Sequence, residues 1–167
     1  MTTLVQVPAL NMPLHASWPL ETIESGCSLI SRGTAPEYVE ASEVFAISQK
    51  CVQQSGFDPI VTRPHDERRM RRVLLPEGGD VLLNSTGTGT LGRSCLFHGS
   101  GRFIVDGHVT VLRTNRRLLD PRWLNAIIQT PWMQNHIYTH CVAGSTNQIE
   151  LARTALSQTR IPRPNVD

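Results

Sequence analysis

Residues 75–93 have the sequence Leu75-Pro-Glu-Gly-Gly-Asp-Val-Leu-Leu-Asn-Ser-Thr-Gly-Thr-Gly-Thr-Leu-Gly-Arg93, and this stretch decides the fold class. Its opening Pro-Glu-Gly-Gly-Asp segment is typical of a turn. The aliphatic segment Asp80–Asn84 predicts a short strand, and three glycines within the next eight residues predict another tight turn. Further strands are predicted at Arg93–Phe97, Phe103–Val105 and His108–Arg113. The middle of the chain is therefore predicted to be rich in strands.

The N-terminal part is predicted to be less regular. Val44–Ile47 and Ile60–Thr62 have the β-branched and aromatic residues of short strands. His65–Arg72 is predicted to form one or two helical turns, with acidic residues near its N-terminal end. Residues 1–15 are predicted to be an irregular arm, because two prolines interrupt them.

The hydrophobic period changes near residue 120. Asp120–Pro121 combines an N-cap with a proline at the first helical position, and apolar residues then recur at helical spacing. Thr130–Pro131 repeats this signal and predicts a second helix to about His140. Asn147 is followed three residues later by Glu150, which is a variant of the capping box. This spacing predicts that a third helix starts there and extends to about Ser157.

Together these elements predict an α+β fold. A strand-rich, β-roll-like body with a mixed sheet is followed by a small helical part that contains a helix hairpin. Residues 16–167 are expected to form a single domain, because the chain has 167 residues and 40% of them are hydrophobic.

The net charge of +2 conceals an uneven distribution of charge. Residues 1–62 contain 2 basic and 6 acidic side chains, whereas residues 63–167 contain 14 basic and 8 acidic ones. Fifteen of the sixteen basic residues are Arg, whose planar guanidinium donates paired hydrogen bonds to phosphate and to guanine. This pattern favours a nucleic-acid partner. A GC-rich genome, which favours Arg codons, is the alternative explanation for the arginine content.

The cysteines and the hydropathy pattern bear on the compartment. Cys27, Cys51, Cys95 and Cys141 are widely spaced and form no Cys-x-x-Cys pair, which is typical of reduced thiols. The sequence has no signal peptide and no apolar run that approaches 18 residues. We therefore expect a cytoplasmic protein with no membrane contact.

Common signatures of DNA-modifying enzymes are absent from the sequence. There is no Asn-Pro-Pro-Tyr or Asp-Pro-Pro-Tyr loop to hold a flipped base, and no Phe-x-Gly-x-Gly motif for a methyl donor. Lys50 is the only lysine, and no carboxylate lies two residues before it, which argues against a nuclease site. We expect a non-catalytic protein with no catalytic residues, no cofactor, no metal ion and no small-molecule substrate.

Two local patterns suggest other chemistry. Gly87–Gly92 matches the Gly-x-Gly-x-x-Gly pattern of dinucleotide-binding loops, but that site requires a following helix, and the next residues favour a strand. A small nucleotide-binding enzyme is therefore the least favoured alternative. His136 and His140 are four residues apart on a predicted helix and could share a metal ion. No further ligands of zinc spacing accompany them, so an ordinary pair of helical histidines is the preferred interpretation.

Candidate DNA contacts fall into three groups. Five arginines within Arg63–Arg72 suit either a phosphate-contacting surface or an ordinary solvated helix face. The hydroxyls of the glycine-rich loop and Arg93 could donate to a phosphate, or the glycines could simply turn the chain between two strands. Polar amide side chains are available for adenine. The full set of candidates is Gln49, Lys50, Gln53, Gln54, Arg63, Arg68, Arg69, Arg71, Arg72, Asn84, Ser85, Thr86, Thr88, Thr90, Arg93 and Arg102.

The order of these segments resembles the target-recognition domain of type I restriction–modification specificity subunits. The resemblance extends from about residue 16 to the end of the chain, and Leu75–Arg93 is its most specific part. The other matching segments are Trp18, Gly26–Tyr38, Phe45–Gly56, Asp106–Arg113, the paired helices that follow Asp120–Pro121, Gly144–Leu151 and Ile161–Pro164.

The resemblance implies that the domain recognises one half of a bipartite target in double-stranded DNA. DNA methyltransferase (modification) subunits and, through them, a restriction subunit would then supply the chemistry. A complete specificity subunit has two such domains separated by long helices, so a chain with one domain is expected to be a truncated or a natural half-subunit. The alternative from another class is a protein-docking domain that contacts nucleic acid incidentally.

Overall fold

The computed structural model describes residues 4–7, 12–15, 17–145 and 147–165. Its strands are β1 (Leu4–Val7), β2 (Met12–His15), β3 (Leu20–Thr22), β4 (Cys27–Arg32), β5 (Val44–Ile47), β6 (Val52–Gln53), β7 (Gly56–Phe57), β8 (Arg63–Pro64), β9 (Val81–Asn84), β10 (Ser94–Leu96), β11 (Arg102–Val105), β12 (Val109–Thr114), β13 (Val142–Ser145), β14 (Gln148–Leu151) and β15 (Arg160–Pro162). The α-helices are α1 (Pro121–Ile128), α2 (Pro131–His140) and α3 (Arg153–Ser157). Short 3₁₀ helices cover Glu24–Gly26, Gln49–Cys51 and Glu67–Arg69.

The centre of the fold is a four-stranded antiparallel sheet with the order β10-β9-β12-β4. Its strands alternate between two cores, because successive side chains point to opposite faces of a sheet. Val81 and Leu83 pack against the helices, whereas Leu82 between them packs on the other side with Val109 and Val111. All five side chains are fully buried, so both faces of the sheet are covered.

A second sheet, β11-β5-β8, covers the face that Leu82 occupies. Its β11 and β5 strands are parallel, with Val105 opposite Ile47, and β8 is antiparallel to β5. Because Ile47 and Val105 are buried against the central sheet, the two sheets share one apolar layer. The fold class predicted from the sequence, α+β with a mixed sheet, is confirmed.

The helices cover the opposite face of the central sheet. Asp120 caps α1 by accepting a hydrogen bond from the backbone N–H of Arg122, and Thr130 caps α2 in the same way. Leu124 and Ile128 of α1 and Ile137 of α2 are buried in the core that the helices share with the sheet. The predicted helix hairpin is therefore confirmed. None of the helices in the described part of the chain has the length and apolar character needed to cross a bilayer.

Most of the predicted strands are confirmed. The elements β9, β10, β11 and β12 agree with the predicted strands to within one residue at each end, and β5 agrees fully. The predicted helical turn at His65–Arg72 is the 3₁₀ helix Glu67–Arg69, which Asp66 caps through the N–H of Arg68.

Two other predictions for the N-terminal half are wrong. Ile60–Thr62 is part of a turn, in which the Asp58 side chain accepts a hydrogen bond from the N–H of Ile60. The Ile60 residue is 90% exposed there. The arm at residues 1–15 is not irregular throughout, because β1 and β2 pair as antiparallel strands. Pro13 is tolerated there because the pair has only two strands, and each is an edge strand.

The predicted start of the third helix is also wrong. The strands β13 and β14 pair as an antiparallel hairpin, and α3 begins only at Arg153. Gly144, in β13, has a φ of 105°, which suits glycine. Ile149 and Leu151 alternate with the exposed Gln148 and Glu150, and this period of two is that of a strand.

Candidate nucleic-acid interface

Three separate segments meet at one end of the central sheet. β9 ends and β12 begins there, because Asn84 is opposite Val109. The parallel strands β5 and β11 finish at the same end, where the N–H of Asp106 donates to the carbonyl oxygen of Ile47 at 3.0 Å. Residues 49–54, the glycine loop (residues 85–92) and the turn Asp106–His108 therefore lie together. We call this surface, with Arg93, the polar edge.

Asn84 connects two of these segments from the inside. Its side chain is fully buried, and its Nδ2 donates to the backbone oxygen of Gln49 at 3.0 Å. Ser85 is also fully buried, with its hydroxyl hydrogen-bonded to that of Thr110. Because a duplex cannot reach either side chain, the prediction that Asn84 and Ser85 contact DNA is wrong. Both residues support the polar edge instead.

Thr86 and Thr90 are largely occupied by contacts within the protein. The Thr86 hydroxyl hydrogen-bonds to Nδ1 of His108 at 2.8 Å and to Oε1 of Gln49 at 3.3 Å. The Thr90 hydroxyl donates to the carbonyl oxygen of Thr86 at 2.9 Å. These bonds fix the glycine loop against Gln49 and His108.

The three glycines of the loop all have left-handed backbone conformations. Their φ angles are 93° at Gly87, 81° at Gly89 and 90° at Gly92. The N–H of Leu91 donates to the oxygen of Gly87, and that of Gly92 to the oxygen of Asn84, so the loop closes on itself. It connects the antiparallel strands β9 and β10 and is not followed by a helix. The structure therefore contradicts the dinucleotide-binding alternative, which requires one.

Closure of the loop leaves its tip exposed, together with one cation. Thr88 and Gly89 are exposed, and no atom lies within 4 Å of a Cβ placed at Gly89. Arg93 is exposed, and its NH1 donates to Oε1 of Gln53 at 3.4 Å. Of the loop's polar side chains, Thr88 is the one best placed to contact a ligand.

Substitutions at this tip separate contact from architecture. Thr88→Ala and Arg93→Ala are expected to leave Tm nearly unchanged. In low salt they should weaken duplex binding by about 3-fold and about 10-fold, because a neutral and a charge-assisted hydrogen bond are removed. Gly89→Val should instead lower stability by about 1–2 kcal/mol, because a side chain disfavours positive φ. Thermal unfolding measures Tm and stability, and fluorescence anisotropy measures the affinity for duplex DNA. If Thr88→Ala and Arg93→Ala bind as well as the parent, the loop has only an architectural role.

Residues 49–54 contribute further polar side chains to the edge. Lys50 and Gln54 are exposed. The Gln53 Nε2 donates to the Lys50 carbonyl oxygen at 2.8 Å, and the Gln54 carbonyl oxygen accepts from Nε2 of Gln129 at 3.3 Å. The segment is thus held in place while the charge of Lys50 and the amide of Gln54 face solvent.

The arginines predicted as one cluster differ in how much free charge they offer. Arg68 is paired with Asp66, and its hydrogen bonds lower the pKa of that carboxyl to about 2. Arg102 is paired with Glu67 at 2.7 Å. Arg69, Arg71 and Arg72 are exposed and form no ion pair with any residue that the structure describes. Together with Arg63, which also forms no ion pair there, these three arginines carry the unpaired charge of the cluster.

The cluster does not coincide with the polar edge. Arg102 is outside the predicted cluster, but it pairs with Glu67, which adjoins Arg68. It lies opposite Val44, at the start of β5, whereas Gln49 follows the end of that strand. Four residues of strand separate them, which is about 13 Å. Arg63 is the exception: it lies opposite Ala46, and its guanidinium carbon lies 3.6 Å from the centroid of the Tyr38 ring.

Several residues of this surface are not among the candidates predicted from the sequence. Asp106, 5% exposed, accepts hydrogen bonds from the Tyr38 hydroxyl and from the N–H of His108. The Arg32 Nε donates to the carbonyl oxygen of Gly107, and its NH1 is 3.2 Å from Glu150. Residues of the glycine loop and of the β13–β14 hairpin line an open cleft of about 590 Å³, with His108 in its wall. The signal available in the sequence was the Asp-Gly-His turn between two predicted strands.

The paired histidines on α2 lie away from the polar edge. His136 Nε2 is 3.0 Å from the hydroxyl oxygen of Thr159, and burial together with the nearby His140 lowers the pKa of His136. Within residues 17–145 and 147–165, no three His, Cys, Asp or Glu side chains form a group that could hold a metal ion.

Comparisons with known proteins give structural matches only. No family model matches the sequence, and no curated protein matches it. Among solved structures, 11 chains match. One, from a study of complex assembly and conformational transition in the type I restriction–modification system, has a TM-score of 0.64, 16% identity and coverage of 89% of this chain and 38% of the other.

Two further matches are specificity subunits. The HsdS subunit from Thermoanaerobacter tengcongensis has a TM-score of 0.64 and 16% identity, over 92% of this chain and 39% of that one. The type I restriction–modification S subunit from M. genitalium has a TM-score of 0.54 and 15% identity, over 93% of this chain and 37% of that one. The chain thus spans less than two fifths of these proteins, and its fold is that of part of an S subunit. At the level of fold, the resemblance inferred from the motifs is confirmed.

Proposed function

We propose that the chain recognises a specific sequence in double-stranded DNA, as the specificity component of a type I restriction–modification system. Its target would be one half of a bipartite site. The observation that carries the proposal is the polar edge, where three segments distant in sequence are fixed from the inside by Asn84 and Asp106. The fold shared with S subunits supports the same assignment.

The chemistry of the edge suits recognition better than catalysis. Lys50 and Arg93 offer charge to phosphates, while Gln54 and Thr88 offer hydrogen-bonding groups that can approach base edges. Arg69, Arg71 and Arg72 would add contacts to phosphates further along the duplex. We propose that the chain itself carries out no covalent chemistry. Methyltransferase subunits and, through them, a restriction subunit would act on the DNA that it binds.

Sequence selection in varied salt tests this proposal. The 167-residue chain should enrich a consensus from random duplexes. Its log Kd should change linearly with log salt, because bound cations are released from the phosphates. The double variant Arg71→Ala/Arg72→Ala should reduce that slope by about 0.9 for each phosphate that the variant no longer binds, on every sequence alike.

Arg122→Ala is the matched control for the slope. The Arg122 side chain is 80% exposed but paired with Asp120, at the N-terminal end of α1. The polar edge is reached from the other end of that helix, where Gln129 contacts Gln54. Its removal should leave the slope unchanged. A slope that is the same in the double variant would make residues 69–72 an ordinary solvated surface. Retained binding to methyltransferase subunits without duplex binding would favour the protein-docking alternative.

A further inference from the structure

Arg63 is oriented by an aromatic platform. Its guanidinium lies over the face of Tyr38, 3.6 Å from the ring centroid, in a cation–π contact. Arg63 belongs to β8, and its backbone is fixed by pairing with Ala46. A stacked guanidinium is held by its face, so its N–H groups point outward from its edge.

The platform is itself fixed from below. The Tyr38 hydroxyl donates to Oδ2 of Asp106 at 3.2 Å, and Oδ1 of the same carboxylate accepts from the N–H of His108 at 2.9 Å. Tyr38 also forms a β-bridge with His65. Burial and the nearby Asp106 raise the pKa of Tyr38, so its hydroxyl remains a donor at neutral pH. The orientation of Arg63 is thus set through Tyr38 by the same carboxylate that holds the turn of the polar edge.

The donors of Arg63 are free, in contrast to those of its neighbours. Arg68 and Arg102 are each paired with a carboxylate, and Arg32 contacts both a backbone oxygen and Glu150. Within the described residues, the Arg63 guanidinium stacks on Tyr38 and has no carboxylate within 4 Å. An arginine that is oriented but has unused donors is suited to a planar acceptor pair outside the protein.

We infer that Arg63 recognises a guanine in the major groove, donating two parallel hydrogen bonds to O6 and N7, and that Tyr38 is its positioning residue. A phosphate contact needs charge but little orientation, whereas O6 and N7 of guanine require two donors in one plane. A guanidinium held by its face presents that plane. This inference rests on the proposed function and adds the base that one side chain specifies.

Selection from random duplexes with matched variants tests the inference. The parent chain should select a consensus with guanine at one position that depends on Arg63. It should prefer that guanine to adenine by about 10–100-fold. Arg63→Ala should lose the preference at this position alone and keep it at the others. Arg63→Lys should retain most of the overall affinity but also lose the preference, because an ammonium is not bidentate.

Variants of the platform and of a paired arginine complete the experiment. Tyr38→Leu should reduce the preference for guanine nearly as far as Arg63→Ala does. Tyr38→Phe, which keeps the ring but not the bond to Asp106, should have a smaller effect. Arg122→Ala, at a carboxylate-paired arginine that is not among the candidate DNA contacts, should leave the preference unchanged. Tm measurements on each variant verify that it is folded.

The outcomes separate the inference from the proposed function. If the parent selects no consensus, both are overturned. If the parent selects a consensus and Arg63→Ala weakens binding equally at every position, Arg63 contacts a phosphate and the inference alone is overturned. The same follows if Arg63→Lys retains the full preference for guanine.

Discussion

Replacing Asp80 with alanine is expected to lower the free energy of unfolding by about 3 kcal/mol, as for other broken buried ion pairs. The Asp80 side chain is only 2% exposed. Its two oxygens accept from Nε and NH2 of Arg113, each at 2.9 Å, and Oδ2 also accepts from the N–H of Glu77 at 2.8 Å. The variant leaves Arg113, 23% exposed, without its buried partner. Because Arg113 retains some contact with water, the loss should lie near the lower end of the usual range.

Glu77→Ala is the matched control, because Glu77 forms an ion pair with the same guanidinium at 2.7 Å. Its side chain is 66% exposed, so the solvent weakens the interaction and the expected loss is below about 1 kcal/mol. Urea denaturation of both variants measures the difference. Equal losses would show that burial of Asp80 does not determine the strength of the pair.

The elements that could be predicted from the sequence carry local signals. The helix α1 follows Asp120–Pro121 and α2 follows Thr130–Pro131, where a cap and a proline at the first helical position act within one turn. The strand β9 is fully buried, so its aliphatic run between two turns indicated a strand without any knowledge of its partners.

The elements that were predicted wrongly have two causes, one a non-local contact and the other a local one. The spacing of Asn147 and Glu150 fits a helix cap, but the bridge between Glu150 and Thr86 adds that segment to the glycine loop as a strand. Pairing with a loop more than fifty residues earlier outweighs a local preference for a helix. Ile60–Thr62 has the composition of a strand, but the Asp58 side chain competes for its backbone.

Some parts of the candidate site could likewise be predicted from the sequence and others could not. Composition singled out the glycine loop and residues 49–54, and the structure brings them together. Composition could not show that Asn84 points inward, because a polar residue at a strand end can face either core or solvent. Nor could it find Tyr38, whose bond to Asp106 joins residues 68 positions apart. The residues that orient the surface were therefore harder to predict than those that form it.

Gly33→Ala is expected to be the other severe substitution, with a loss of more than about 3 kcal/mol and a fall in Tm of roughly 6–12 °C. A Cβ at Gly33 would overlap the backbone oxygen of Val105 and crowd that of Asp106. Neither backbone can retreat easily, because the N–H of Gly33 donates to Val109 at 3.0 Å and that of Thr34 to Val105 at 3.1 Å. The glycine is needed there for close approach of two strands and not for an unusual φ.

Gly107→Ala, in the facing turn, supplies the control. The nearest atoms to a Cβ at Gly107 are 3.7 Å away, which is ordinary van der Waals contact, so we expect a loss below about 1 kcal/mol. The two variants differ in a further respect, because relief of the clash at Gly33 must displace Asp106 and with it the hydroxyl of Tyr38. The folded Gly33→Ala variant should therefore also discriminate guanine less well than the folded Gly107→Ala variant. Thermal unfolding curves that coincide for the two variants would contradict the expected loss of stability and show that the turn can move without cost.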